Sequence, residues 1–328
     1  MSLNTNFKKL AAGAAGLATL LGPTIAIDTQ EQYSAQELQD ESTTQDAIHL
    51  PSVHLKRNTA KAGDHNLEGR MAVLGFDILF NGLKAGIGAK VAGDDFWPAF
   101  GKGAFSGVIV YGGKELASWN GTIPGAGASG KLIHDLGVSM SDNVTFGRPI
   151  LSRYVTDIGP IEINFDSKDG VSAYLYPYSL YAIIKNAADG HRFEVKHSLL
   201  NLTPIFSFDK SNSKYGGWTN QNVFTYCRNC DGLDNIARSH EMVHVLHISE
   251  FRFIDEAMPL KSEIFHNAPI LHKFSNLLDY IKVGPFIGER IMALPMLFGE
   301  EGYWYNPLEL EAYTLNRPTQ PNAHPFYK

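Results

Sequence analysis

The sequence predicts an α+β protein, and three observations carry that prediction. Residues 66–148 are rich in glycine and apolar residues and lack the strict alternation of a strand. Residues 149–213 hold short runs of Ile, Val, Phe and Tyr separated by turn sequences. Residues 214–328 contain a helix-period stretch followed by further helix-like segments broken by prolines. The expected order is a Gly-rich helical N-terminal part, an antiparallel β-rich middle, and a helical C-terminal part entered from an edge strand.

The first element is a leader. Lys8 and Lys9 precede an apolar run from Leu10 to Ala26, after which the chain turns polar. That order matches a secretory signal peptide over residues 1–26, with cleavage after Ala26, and predicts an exported protein: periplasmic, outer-envelope or secreted. Residues 27–65 are polar with few large apolar groups, too few to offset the entropy of ordering, and read as a linker. With 44% hydrophobic residues, the rest of the 328-residue chain can bury a full core. A net charge of -6 with 28 Lys plus Arg leaves no positive surplus for a phosphate backbone, which argues against a nucleic-acid partner.

In the Gly-rich part, the spacings Gly82 to Gly86 and Gly103 to Gly107 allow close helix contact. Charges at Asp77, Lys84, Lys90, Asp94, Asp95 and Lys102 keep each apolar run below the ~18 residues of a spanning helix. Packed helices are expected, with peripheral membrane contact through 67–113 left open. In the middle part, "GPIEINF", "SAYLYP", "RFEVKH" and "PIFSFD" read as strands, joined by the turn sequences "DSKDG" and "NAADG". "NVFTY", residues 222–226, reads as one more strand.

Cys227 and Cys230 are the two cysteines of the chain. In an exported protein this C-x-x-C pair is expected to close a local disulfide; in a reducing compartment it would be a thiol redox centre.

The segment "DGLDNIARSHEMVHVLHI" has Asp231 or Asp234 as an N-cap, and Ile236, Val243 and Leu246 near helical spacing. On that helix His240 and His244 lie one turn apart on one face, so both imidazoles can hold one metal ion. Glu241, rotated by ~100° from His240, can reach a water on that ion without being a ligand. This is the H-E-x-x-H arrangement of zinc hydrolysis, in which the carboxylate is the general base toward a zinc-bound water. His247 lies on the same stripe, but one straight helix cannot wrap three nitrogens around one ion. It is expected to support the ligands or to be a polar residue at the helix end.

A catalytic zinc takes three protein ligands and keeps an open position. The metzincin continuation is absent, since His247 and Glu250 stand where Gly and His would be required. Downstream, "WYNPLELEAY" holds Glu309, Glu311 and Ala312 in an E-x-E-A setting. Here the chain resembles the gluzincins, zincin-fold metallopeptidases in which a Glu on a later helix completes the H-E-x-x-H site. The resemblance covers roughly the last 110 residues and implies that Glu309 is the third ligand. Helix geometry alone leaves three options open. Glu309 and Glu311 lie ~200° apart, so only one can face the ion; with Asn306 as N-cap, Glu309 could instead be a capping-box carboxylate; or neither binds metal. Tyr303, Tyr305 and Tyr313 are candidate donors to a developing oxyanion.

The function expected from these residues is zinc-dependent peptide-bond hydrolysis of a peptide or protein substrate. The alternatives are a non-catalytic envelope binding or structural protein that keeps the metal site, and a thiol-disulfide enzyme built on the two cysteines.

Overall fold

The computed structural model describes residues 65–209, 216–229, 234–257, 280–292 and 306–315. The expected leader, almost all of the linker, Cys230, Asp231, Tyr303 and Tyr305 lie outside them. The fold is α+β.

Three helices open it: α1 (His65–Ala92), α2 (Phe96–Ala117) and α3 (Ala126–Thr145). They pack as close as the glycine spacing predicts. A Cβ on Gly103 would sit 2.3 Å from the carbonyl oxygen of Asn81, and one on Gly107 would sit 2.3 Å from that of Asp77. Only glycine permits this backbone contact between α1 and α2. Among the described residues, Leu67–Ala92 is the one helix long and apolar enough, by length and composition, to cross a membrane. Its internal charges are turned inward: Lys84 Nζ lies 2.9 Å from Asp142 on α3, and Asp77 lies 2.8 Å from Lys114 on α2.

The middle of the chain forms an antiparallel meander, β1 (Arg153–Ile158), β2 (Ile161–Asp166) and β3 (Gly170–Leu175). It continues into α4 (Pro177–Ala188), β4 (Arg192–Phe193), α5 (Val195–Asn201) and β5 (Ile205–Asp209). The "RFEVKH" segment is therefore a strand for two residues only. From Val195 it turns helical, with Ser198 and Asn201 buried against the α3 side of the body. Tertiary packing overrides the β preference of Val195 here.

A second sheet has the order β4-β5-β7-β6, with β6 at Gly217–Thr219 and β7 at Phe224–Arg228. It departs from expectation in two ways. β5 and β7 run parallel, so the β-rich part is not purely antiparallel. β7, which contains most of "NVFTY", is an internal strand rather than an edge strand. The first four residues of β7, Phe224 to Cys227, are buried on both faces, as a central strand requires. The edge beside the following helix is β6, antiparallel to β7.

Then come α6 (Asp234–Glu250), α7 (Phe253–Ala257), α8 (Gly284–Met292) and α9 (Pro307–Leu315). α6 is the central helix. One side packs Ala237, Met242, Val245 and Leu246 on Ile205, Phe224 and Tyr226 of the sheet. The opposite side packs Val243 against Ala312 and Leu315 of α9 and Val73 of α1. Burial on both sides fixes the rotation of α6, and so the direction in which its histidines point.

Candidate metal centre

α6 begins with Asp234 in its first turn, whose carboxylate accepts the N–H of Asn229 at 3.2 Å. One turn apart on its α9-facing side, His240 and His244 bring their Nε2 atoms to 3.0 Å from each other. α9 supplies the third group. Asn306 caps this helix by accepting the N–H of Leu308 at 3.0 Å, which sets its first turn against α6. Glu309 then meets both imidazoles: Oε2 lies 3.3 Å from His240 Nε2, and Oε1 lies 3.4 Å from His244 Nε2. His240 and Glu309 are buried, and His244 is half-buried.

The residues fit a tetrahedral ion. Ligand bonds of about 2.0–2.1 Å at tetrahedral angles separate donor atoms by about 3.3 Å; the imidazole nitrogens lie 3.0 Å apart, each is 3.3 or 3.4 Å from a different oxygen of Glu309, and one donor atom from each residue falls within 4.8 Å of the others. The two imidazole nitrogens face each other at 3.0 Å with the carboxylate beside both, an arrangement that can share one cation. Burial alone would push the Glu309 carboxyl up, but the charge of His244 and hydrogen bonds from His240 and His244 hold it well below the usual carboxylate range. It is anionic, as a ligand must be. The donor set of two imidazoles and one carboxylate can hold a metal ion.

Glu241 sits beside the cluster and is buried. Its Oε2 accepts the hydroxyl hydrogen of Thr219 at 2.7 Å, so the edge strand β6 orients it. β6 can come this near because residue 217 is glycine: a Cβ there would lie 3.0 Å from Glu241 Cγ. Burial raises the Glu241 carboxyl above its ordinary value, although His240, His244 and Thr219 pull the other way. A carboxylate so shifted is a better proton acceptor.

Glu311 faces elsewhere. It lies 3.1 Å from His247 Nε2 and 2.6 Å from Lys114 Nζ, on the side of α9 away from the imidazole pair. His247 is thus separate from the three donor atoms, although its ring lies 5.5 Å from that of His244. Burial lowers its pKa, although the neighbouring Glu311 carboxylate pulls the other way. The Tyr313 ring packs on the His240 ring at 4.3 Å between centroids and fixes its orientation. Cys227 is buried and disulfide-bonded.

The sequence did not point to Thr219, Gly217 or Lys114. Thr219 and Gly217 lie in a three-residue strand with little pattern of its own. Lys114, in "GGKEL", carries the mark of a solvated side chain, yet it is fully buried. Its Nζ lies 2.8 Å from Asp77, 2.7 Å from Glu250 and 2.6 Å from Glu311. His134, also fully buried, adds a contact of 3.3 Å to Glu250. This core of ions stands directly behind the metal centre.

Comparison with known proteins identifies no relative: no family model matches the chain, and no curated protein or solved structure matches it.

Proposed function

We propose that the chain is a zinc-dependent peptidase of the zincin type, with His240, His244 and Glu309 as ligands and Glu241 as general base. The observation that carries this reading is the convergence of two imidazole nitrogens and one carboxylate, from helices far apart in sequence, to mutual distances of 3.0–3.4 Å. The adjacent buried carboxylate of Glu241 supplies the second requirement.

Zinc, when bound by these three residues, supplies Lewis acidity, polarising a carbonyl oxygen and lowering the pKa of water to about 7. The chain's own groups do the rest. Glu241 Oε2 is committed to Thr219, which leaves Oε1 to take the proton of the attacking water. The same carboxyl then gives that proton to the leaving amine nitrogen, so Glu241 returns to its starting state. β6 lies at the sheet edge beside Glu241, and its outer side can pair with an extended peptide backbone. The leader-like residues 1–26 assign this activity to an exported protein.

The test is digestion of a broad peptide library by wild-type protein and by Glu241→Gln, with zinc content measured on both. The expected result is retained zinc and turnover lowered by about 10²–10⁴. Equal turnover in the variant would remove Glu241 from its role. A zinc-loaded wild type that cleaves nothing would favour the non-catalytic envelope protein.

A further inference from the structure

The Gly-rich helices carry a polarity opposite to that of a protein surrounded by water. Asp77, Lys84, Lys114 and Asp142 are buried among them and paired with one another. The outer face of α1 is apolar. Every exposed position between Glu68 and Lys90 is Ala, Gly or a large apolar residue. Leu79, Leu83 and Ile87 recur every four residues, with Leu79 52% exposed and Ile87 49% exposed. The stripe from Met71 to Ile87 is about 24 Å long at about 1.5 Å per residue. α2 adds exposed Phe105 and Val108, and Trp97, 75% exposed, stands in its first turn.

We infer that this face lies on a phospholipid bilayer, with α1 in the plane of the interface. Three observations select that occupant and orientation. The helix is long and apolar enough to enter hydrocarbon, yet its inner side is packed along its whole length. Val73 meets Val243 and Leu315, Phe80 meets Phe251 at 6.5 Å between ring centroids, and Ala85 and Ala89 meet Val144. A crossing orientation would drag that charged body into lipid, whereas a helix lying flat immerses only its outer stripe. Trp97 has the amphipathic ring found at the headgroup level. The exposed charges at the border of the stripe carry both signs, Lys90 and Lys102 with Asp94 and Asp95, and so match a zwitterionic headgroup, cations toward its phosphate and carboxylates toward its ammonium. This inference is independent of the peptidase reading and needs no metal.

The experiment is flotation of the purified full chain with neutral phosphatidylcholine vesicles, using wild type and the double variant Leu79→Asp, Leu83→Asp. Wild type is expected to float. The double variant, altered only at surface positions, is expected to lose binding by about ten-fold or more. A second measurement does not depend on that variant's folding: Leu83→Cys carrying an environment-sensitive fluorophore should shift to the blue when vesicles are added. Undiminished flotation of the double variant would place binding elsewhere, for example in the apolar run Leu10–Ala26, and would overturn the inference. A fluorophore already in an apolar setting without vesicles, and unchanged by them, would overturn it too. That result would mean the face is covered by another part of the chain or by a second copy.

Discussion

At Glu241 two residues of the edge strand set the chemistry, and each can be tested alone. Thr219 gives its hydroxyl hydrogen to the buried carboxylate at 2.7 Å. Thr219→Val keeps the shape and removes the donor, so it should lower stability by about 1–3 kcal/mol. It should also lower turnover while zinc content stays at the wild-type level. Gly217 is required by space: a Cβ there would lie 2.8 Å from the Thr225 carbonyl oxygen and 3.0 Å from Glu241 Cγ. Gly217→Ala should push β6 outward at a cost of about 1–3 kcal/mol, read as a lower midpoint in thermal unfolding, again with metal retained. The two imidazoles and Glu241 were legible because their spacing within one helix is local information. Thr219 and Gly217 were not, because the side chain of Glu241 that both meet lies 22 or more positions along the chain.

At the scale of elements, Lys114 ties together the helices that build the site. From α2 it reaches Asp77 on α1, Glu250 at the end of α6 and Glu311 on α9. Lys114→Met would leave these carboxylates buried without their cation, and should destabilise the fold by about 3–5 kcal/mol in urea unfolding. Glu250 adds a pH dependence of known sign. Burial opposes its ionisation, but Lys114 and His134 outweigh it and hold the carboxyl well below its ordinary 4.5. Its contribution is therefore present above about pH 4.5 and lost as pH falls toward its folded value. The stability gap between wild type and Glu250→Gln should be widest near neutral pH and narrow on acidification. Elements were legible where the pattern is local: the three Gly-rich helices, the meander and α6. Strand neighbours were not. β7 reads as a strand from composition, but its place between β5 and β6 depends on pairing with residues distant in sequence.

For the molecule as a whole, we propose that one metal ion closes α6 and α9 on each other. An ion that binds only the folded chain adds stability by mass action. Chelation should then lower the unfolding temperature of the full chain, and added zinc should restore it. The third ligand marks the limit of the sequence. Helix geometry alone leaves Glu309 and Glu311 open and only the resemblance selects Glu309, because helix rotation can be fixed only by packing. Here Val243, Ala312 and Leu315 set that rotation, so that Glu309 meets the imidazoles and Glu311 turns to Lys114. The most direct measurement is zinc stoichiometry on wild type, Glu309→Gln and Glu311→Gln, purified and equilibrated side by side. The expected result is one zinc per chain in wild type, a site emptied or greatly weakened in Glu309→Gln, and zinc retained in Glu311→Gln despite lower stability. A wild type without bound metal, or a Glu309→Gln variant that keeps its full equivalent, would contradict it.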